Sequence, residues 1–136
     1  MIAPRIDNRL LRARRYLQQT ATQNIKLSEI AKQANLSPFY FHRSYKQTYG
    51  ETPHNHRSRL RLARAKTILR GGQYSIAEVC FEVGFESVSS FTAWFLRQVG
   101  LTPSRYQEYA KKRYAPLEIQ SIFIPCCFLG MALAQD

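Results

Sequence analysis

The chain is poor in acids, in cysteine and in long apolar runs, and each shortage removes a class of protein. Its 136 residues hold nine Asp/Glu against twenty Lys/Arg, for a formal net charge of +11 and a pI near 10. No catalytic constellation can be assembled from what is present. His42, His54 and His56 lie in one region but lack carboxylate or thiol partners at ligand spacing, and no glycine-rich phosphate loop occurs. Three cysteines, Cys80, Cys126 and Cys127, cannot close a disulfide framework, which fits a reducing cytoplasm. The longest uncharged run, 119–135, is 17 residues and is broken by Gln120, Ser121, Pro125 and Gly130. A spanning helix needs roughly 20 mainly apolar residues. Arg5, Asp7, Arg9 and Arg12 interrupt any apolar leader at the N-terminus. A cytoplasmic protein is expected, with no enzyme activity, no metal, no cofactor and no membrane association.

What is present is positive charge, unevenly placed. Residues 1–70 hold 15 Lys/Arg and 3 Asp/Glu, and residues 71–136 hold 5 and 6. An excess of twelve charges in one half points to a polyanionic partner. Within that half, Ser28 to Gly50 predicts a short helix, a tight turn and a second helix. Ser28 is placed to cap the first helix. Asn35-Leu36-Ser37 break the pattern, and Ser37-Pro38 is an N-cap followed by proline at the first helical position. Gly50 stops the second helix. Ile30, Ala31, Ala34, Leu36, Phe41 and Tyr45 fall on faces that can meet. Two helices packed this way form a helix-turn-helix, whose second helix can enter a DNA major groove; an ordinary helical hairpin fits this stretch alone as well.

A repeat decides between them. Glu29-Ile30-Ala31, Ala34-Asn35-Leu36, Ser37, Phe41, Tyr45, Gly50 and Thr52-Pro53 return as Glu78-Val79-Cys80, Val83-Gly84-Phe85, Ser87, Phe91, Phe95, Gly100 and Thr102-Pro103. The offset is 49 residues up to the turn and 50 after it, so the second turn holds one extra residue. One structural unit is used twice. The repeat, the segment Arg59-Leu60-Arg61-Leu62-Ala63-Arg64-Ala65, and the runs Val83-Gly84-Phe85-Glu86-Ser87 and Gly100-Leu101-Thr102-Pro103-Ser104-Arg105-Tyr106 resemble the DNA-binding domain of the AraC/XylS family. The resemblance spans about residues 6–112.

The expected architecture is all-α: two helix-turn-helix subdomains joined by a long linker helix, about seven helices, with a short non-helical C-terminal tail. Residues 6–112 form the DNA-binding domain, with the first helix-turn-helix at 28–50, the linker helix at 53–70 and the second helix-turn-helix at 75–100. Residues 113–136 are expected to be a tail, either the truncated start of an effector-binding domain or a non-homologous extension. Ile6, Leu10, Ala13 and Leu17 predict an amphipathic helix ahead of the first unit. The linker carries Arg57, Arg59, Arg61, Arg64, Lys66 and Arg70, with apolar Leu60, Leu62, Ala63, Ala65, Ile68 and Leu69. Its eighteen residues would extend about 27 Å, near the ~34 Å between successive major-groove faces. His56 is expected to be packed rather than a ligand. Ser75 and Glu78 form a capping box over a stripe of Ile76, Val79, Cys80 and Val83. In the closing helix, Tyr106 and Tyr109 are expected to pack back. Residues 116–125 look strand-like.

On the first reading helix, Phe41 and Tyr45 turn inward, so Phe39, His42, Arg43 and Lys46 point outward. Arg43 can donate twice to guanine, worth about 1–3 kcal/mol of discrimination. On the second, Phe91, Trp94 and Phe95 turn inward, leaving Ser89, Ser90, Thr92, Ala93, Leu96 and Arg97. Arg57, Arg59 and Arg61 are the candidate phosphate contacts. The expected partner is double-stranded DNA, bound by a monomer through Phe39, His42, Arg43, Lys46, Ser89, Ser90, Thr92 and Arg97. The resemblance implies a sequence-specific transcription regulator, an activator that contacts RNA polymerase. No small-molecule ligand is expected unless the tail belongs to a larger effector domain. The alternative is a protein-binding or decoy regulator with weak DNA binding through the first unit only.

Overall fold

The computed structural model describes residues 7–113. It contains seven helices among the described residues and no strand. They are α1 (Asn8–Gln19), α2 (Leu27–Gln33), α3 (Pro38–Tyr49), α4 (Pro53–Gly71), α5 (Ile76–Glu82), α6 (Val88–Val99) and α7 (Pro103–Arg113). The chain divides into two compact units between Arg61 and Leu62, so the unbroken 19-residue α4 begins in one and ends in the other. The expected strand-like segment, the adjacent Cys126 and Cys127, and Ile6 lie outside the described residues.

Unit 1 is α1 packed on the α2–α3 pair. Asp7 caps α1, accepting from the Arg9 amide at 2.9 Å. Leu10, Ala13 and Leu17, at i, i+3 and i+7, are fully buried against Ile30, Ala31, Ala34, Leu36, Phe41 and Tyr45. Truncating one of these large side chains to alanine costs about 2–5 kcal/mol in a packed core. Ser28 does not cap α2. The cap position is Lys26, two residues earlier, so the helix starts at Leu27, and the Glu29 carboxylate reaches back to accept from the Lys26 amide at 3.2 Å. A glutamate three positions into the helix takes the place of a serine cap.

Unit 2 repeats the arrangement with α5, α6 and α7, and with the C-terminal part of α4 in the place of α1. Its core is Leu62, Ala65, Ile68, Leu69, Val79, Cys80, Val83, Phe91, Trp94, Phe95, Val99 and Tyr106. Ala63 is exposed instead of joining that face, while Lys66 is buried. The Ser75–Glu78 capping box is present, with bonds of 2.7 and 3.2 Å. Tyr109 does not pack back: its ring is exposed at the surface under the Arg113 guanidinium, 4.7 Å away.

The repeat is a repeat of backbone conformation. The turn residue is left-handed in both copies, Asn35 at φ 55° and Gly84 at φ 91°. The following amide closes back on the same carbonyl position, Leu36 on Ala31 at 2.9 Å and Phe85 on Cys80 at 3.0 Å. The extra residue of the second turn, Glu86, comes after this bond and before the Ser87 cap. Gly50 and Gly100 end the two second helices in the left-handed region, at φ 77° and 83°.

Candidate nucleic-acid interface

The first candidate surface is the outward face of α3. Ser37 accepts from the Tyr40 amide at 3.2 Å and Pro38 occupies the first helical position, which fixes where the helix begins. Phe41 and Tyr45 are buried, with ring centroids 5.5 Å apart. The helical period then turns Phe39, His42, Arg43 and Lys46 to solvent, and Phe39 is 75% exposed. A single exposed ring is ordinary at a protein surface, so its exposure leaves Phe39 available to a partner without requiring one. Sequence reasoning missed Tyr40. It is 43% exposed, and its hydroxyl approaches the Asp7 carboxylate at 3.5 Å, tying the start of α3 to the cap of α1. Only the fold brings residues 33 positions apart together, so the sequence held no signal for it.

The α3 register is held from behind by buried polar chemistry. The Tyr45 hydroxyl and His56 Nδ1 are hydrogen-bonded in the core, and His56 is 2% exposed. Burial holds the imidazole below its ordinary titration range, helped by Arg59 and Arg14 and opposed by Glu51, whose carboxylate is 4.0 Å away. Burial likewise pushes the Tyr45 phenol up. His56 is therefore the packed residue expected from the sequence. Its repeat equivalent, Tyr106, meets Phe95 edge to face at 5.4 Å and accepts at its hydroxyl from Arg70 at 3.1 Å.

The three arginines expected to hold phosphate are engaged inside unit 1. Arg57 donates to the Ile25 carbonyl at 2.5 Å. Arg61 donates from Nε to the Ala21 carbonyl at 2.6 Å and from Nη2 to the Gln23 carbonyl at 3.0 Å. Arg59 pairs with Glu51 at 2.7 Å. Burial and the neighbouring Arg57 push Arg61 down to about 10, so it stays cationic at neutral pH. Arg57 and Arg61 face the loop between α1 and α2, which offers three carbonyls outside any helix. The sequence reveals that arginines line α4 but not that this loop folds over them.

On α6, Ser87 caps the helix and accepts from the Ser90 amide at 3.2 Å. Ser87 also donates its hydroxyl to Ser90 Oγ at 2.8 Å, and Ser89 Oγ lies 3.4 Å from Ser87 Oγ. Phe91, Trp94, Phe95 and Val99 are buried. Ser89, Ser90 and Arg97 are exposed and Thr92 is half-buried, so the four predicted residues sit on the outward side. Ala93 and Leu96 share that side, Leu96 at 44% exposure.

Two copies of a helix, a capped turn and an outward second helix define a tandem helix-turn-helix protein. A helix-turn-helix domain family matches residues 30–109, more than half of the chain. The chain is 33% identical over 108 residues to YdiP, an uncharacterized HTH-type transcriptional regulator of Escherichia coli (strain K12), covering 79% of this chain and 36% of that protein. It is 33% identical over 97 residues to the HTH-type transcriptional activator RhaS of Klebsiella pneumoniae (strain 342), covering 71% of this chain and 35% of RhaS. The chain therefore spans about a third of the length of these relatives. The DNA-binding domain of the global transcriptional factor AdpA, solved with a target DNA, shares the fold with a TM-score of 0.74 at 22% identity, over 82% of this chain and all of that one. Solved structures described as AraC-type or AraC-family regulators share the fold as well. The chain belongs to the AraC/XylS family.

Proposed function

We propose that the chain is a sequence-specific double-stranded DNA-binding transcription regulator that inserts α3 and α6 into adjacent major-groove segments. The observation that carries it is the outward face of α3, where Phe39, His42, Arg43 and Lys46 stand exposed on a helix whose opposite side is locked by Phe41 and Tyr45. Arg43 donates to a guanine edge, His42 donates or accepts at a neighbouring base, and Phe39 packs on a thymine methyl. Ser89, Ser90, Thr92 and Arg97 engage the second segment. Lys46 and the backbone amides at helix N-termini hold phosphates directly. Arg57, Arg59 and Arg61 tether unit 1 rather than hold phosphate, because their donors already serve carbonyls and Glu51.

The same proposal makes residues 6–112 the DNA-binding domain and the chain a monomer on DNA. It acts by binding rather than catalysis, in the cytoplasm, as an activator that contacts RNA polymerase; RhaS, which it resembles, is named as an activator. A second reading, a protein-binding or decoy regulator, draws on α6, where only Arg97 is charged.

Selection of bound sites from a random duplex library, followed by gel shift against competitor DNA, tests the proposal. A defined consensus and competitor resistance are expected. Equal binding to all duplexes would favour the second reading. With about six phosphate contacts, log K should fall against log[salt] with a slope near −5, and a flat response would contradict phosphate binding.

A further inference from the structure

The two second helices occupy equivalent places in the repeat, so their outward faces can be compared at an offset of 50 residues. Phe39, His42, Arg43, Lys46 and Gln47 correspond to Ser89, Thr92, Ala93, Leu96 and Arg97. At about 100° per residue, the centre of the outward face is Phe39, Arg43 and Lys46 in α3, and Ser89, Ala93 and Leu96 in α6. Where the first helix presents two cations, the second presents a methyl and an isobutyl group. Both are exposed, and nothing on the core side of α6 draws them in, since Phe91, Trp94, Phe95 and Val99 already fill it.

Neither group can bond the N7 and O6 of guanine or the N6 of adenine. The apolar feature that the major groove does offer is the C5-methyl of thymine. Resting on the DNA-binding reading above, we propose that Ala93 and Leu96 read thymine methyl groups. At the centre of the face, the second unit's part of the site is then selected by hydrophobic contact, where the first unit places the hydrogen-bonding Arg43 and Lys46. The two side chains rise about 4.5 Å apart along the helix, against a base-pair step of about 3.4 Å, so they meet neighbouring base pairs. Ser89 at the helix start is small and stays close to the Ser87 cap at 3.4 Å, which leaves the approach of Leu96 unobstructed. DNA is the favoured occupant of this face because α6 carries no carboxylate, places Arg97 beside the apolar pair, and repeats the position held by α3 in the more basic half of the chain.

Uracil scanning tests this. The duplex selected by the full chain is resynthesised with deoxyuridine at each thymine in turn, which removes one methyl and keeps every hydrogen-bonding group. Binding is measured by fluorescence anisotropy for the wild type and for Leu96→Ala, with circular dichroism as the folding control and Leu96→Gln as a second variant. Loss of one buried methyl should weaken wild-type binding about three- to fivefold at one or two adjacent thymines. Leu96→Ala should bind the thymine and uracil duplexes at that position within about 1.5-fold of each other. Uracil tolerated at every position would overturn the proposal, as would a set of penalties in which every one survives unchanged in Leu96→Ala. Wild-type affinity and thymine preference in both variants would do the same and leave α6 to a protein partner. Failure to select any duplex removes the DNA-binding reading itself, which separates the two outcomes.

Discussion

Replacing Arg61 with methionine separates two roles that an arginine on α4 can have. Methionine keeps most of the aliphatic stem and removes the guanidinium. The structure gives that group two acceptors: the Ala21 carbonyl at 2.6 Å, part-buried, and the Gln23 carbonyl at 3.0 Å, exposed. A hydrogen bond from a charged donor contributes about 1.5–3 kcal/mol when sheltered; the exposed bond, screened by water, adds about 0.5 kcal/mol or less. Arg61→Met should therefore destabilise the protein by about 2–3 kcal/mol. For a unit of this size that lowers Tm by roughly 4–8 °C per kcal/mol. Amide exchange should speed up first in residues 20–26, the loop that loses its tether. Calorimetry and exchange mass spectrometry read both effects. The DNA assay decides the role: if Arg61 is a tether, the slope of log K against log[salt] stays as in the wild type. A slope shallower by about 0.9, with Tm unchanged, would make Arg61 a phosphate contact and refute the tether.

Arg43→Ala should lose about 1–3 kcal/mol of binding and relax specificity at one base pair. Ser89→Ala should lose less, and the opposite ranking in gel shifts would transfer base reading to α6. His56 is held below its ordinary pKa by burial, so the folded state binds its proton less readily than the unfolded chain. Its contribution to stability is full above about pH 6.5 and is lost as pH falls toward the depressed folded value. Urea midpoints from pH 8 to 5 should fall below pH 6.5 in the wild type and fall less in His56→Phe; parallel curves would exclude His56 as the cause. Gly84→Ala places a side chain at φ 91° and should cost about 1–2 kcal/mol. Asn35→Gly at the matching position should change stability by less than 0.5 kcal/mol in either direction by the same measurement.

Legibility in the sequence followed how local each cause was. The turn-and-cap grammar is local, so Ser37-Pro38, Ser75 with Glu78, Gly50 and Gly100 placed helix ends to within a residue or two. The inward stripes were legible because a 3.6-residue period fixes them, and the repeat made each stripe a check on the other. Ser28 misled because two signals compete there, and a glutamate reaching back from the third helical position caps as well as a serine in front of it. The roles of Arg57, Arg61 and Tyr40 depend on carbonyls or carboxylates 32 to 40 residues away, and periodicity carries no information about those. Lys66 is one of the six cations the sequence places on α4, and charge alone argues for exposure; its burial arises where the C-terminal half of α4 becomes the first helix of unit 2.

Duplication explains why scaffold and reading face diverge. The inward residues, the left-handed turn and the glycine stops are nearly interchangeable between copies, because any departure costs stability in a packed core. The outward residues pay no such cost. Arg43 against Ala93 and Lys46 against Leu96 change the chemistry of the face while the backbone beneath keeps the same hydrogen bonds. Even the support behind the face is replaceable, since a buried Tyr45–His56 hydrogen bond in one copy and a Phe95–Tyr106 ring contact in the other hold the same helix against the same neighbour. Transplanting the α6 face onto α3, as Arg43→Ala with Lys46→Leu, should therefore leave Tm within a few degrees while it changes the selected duplex. A large loss of stability in that double variant would mean that the outward residues carry fold as well as recognition.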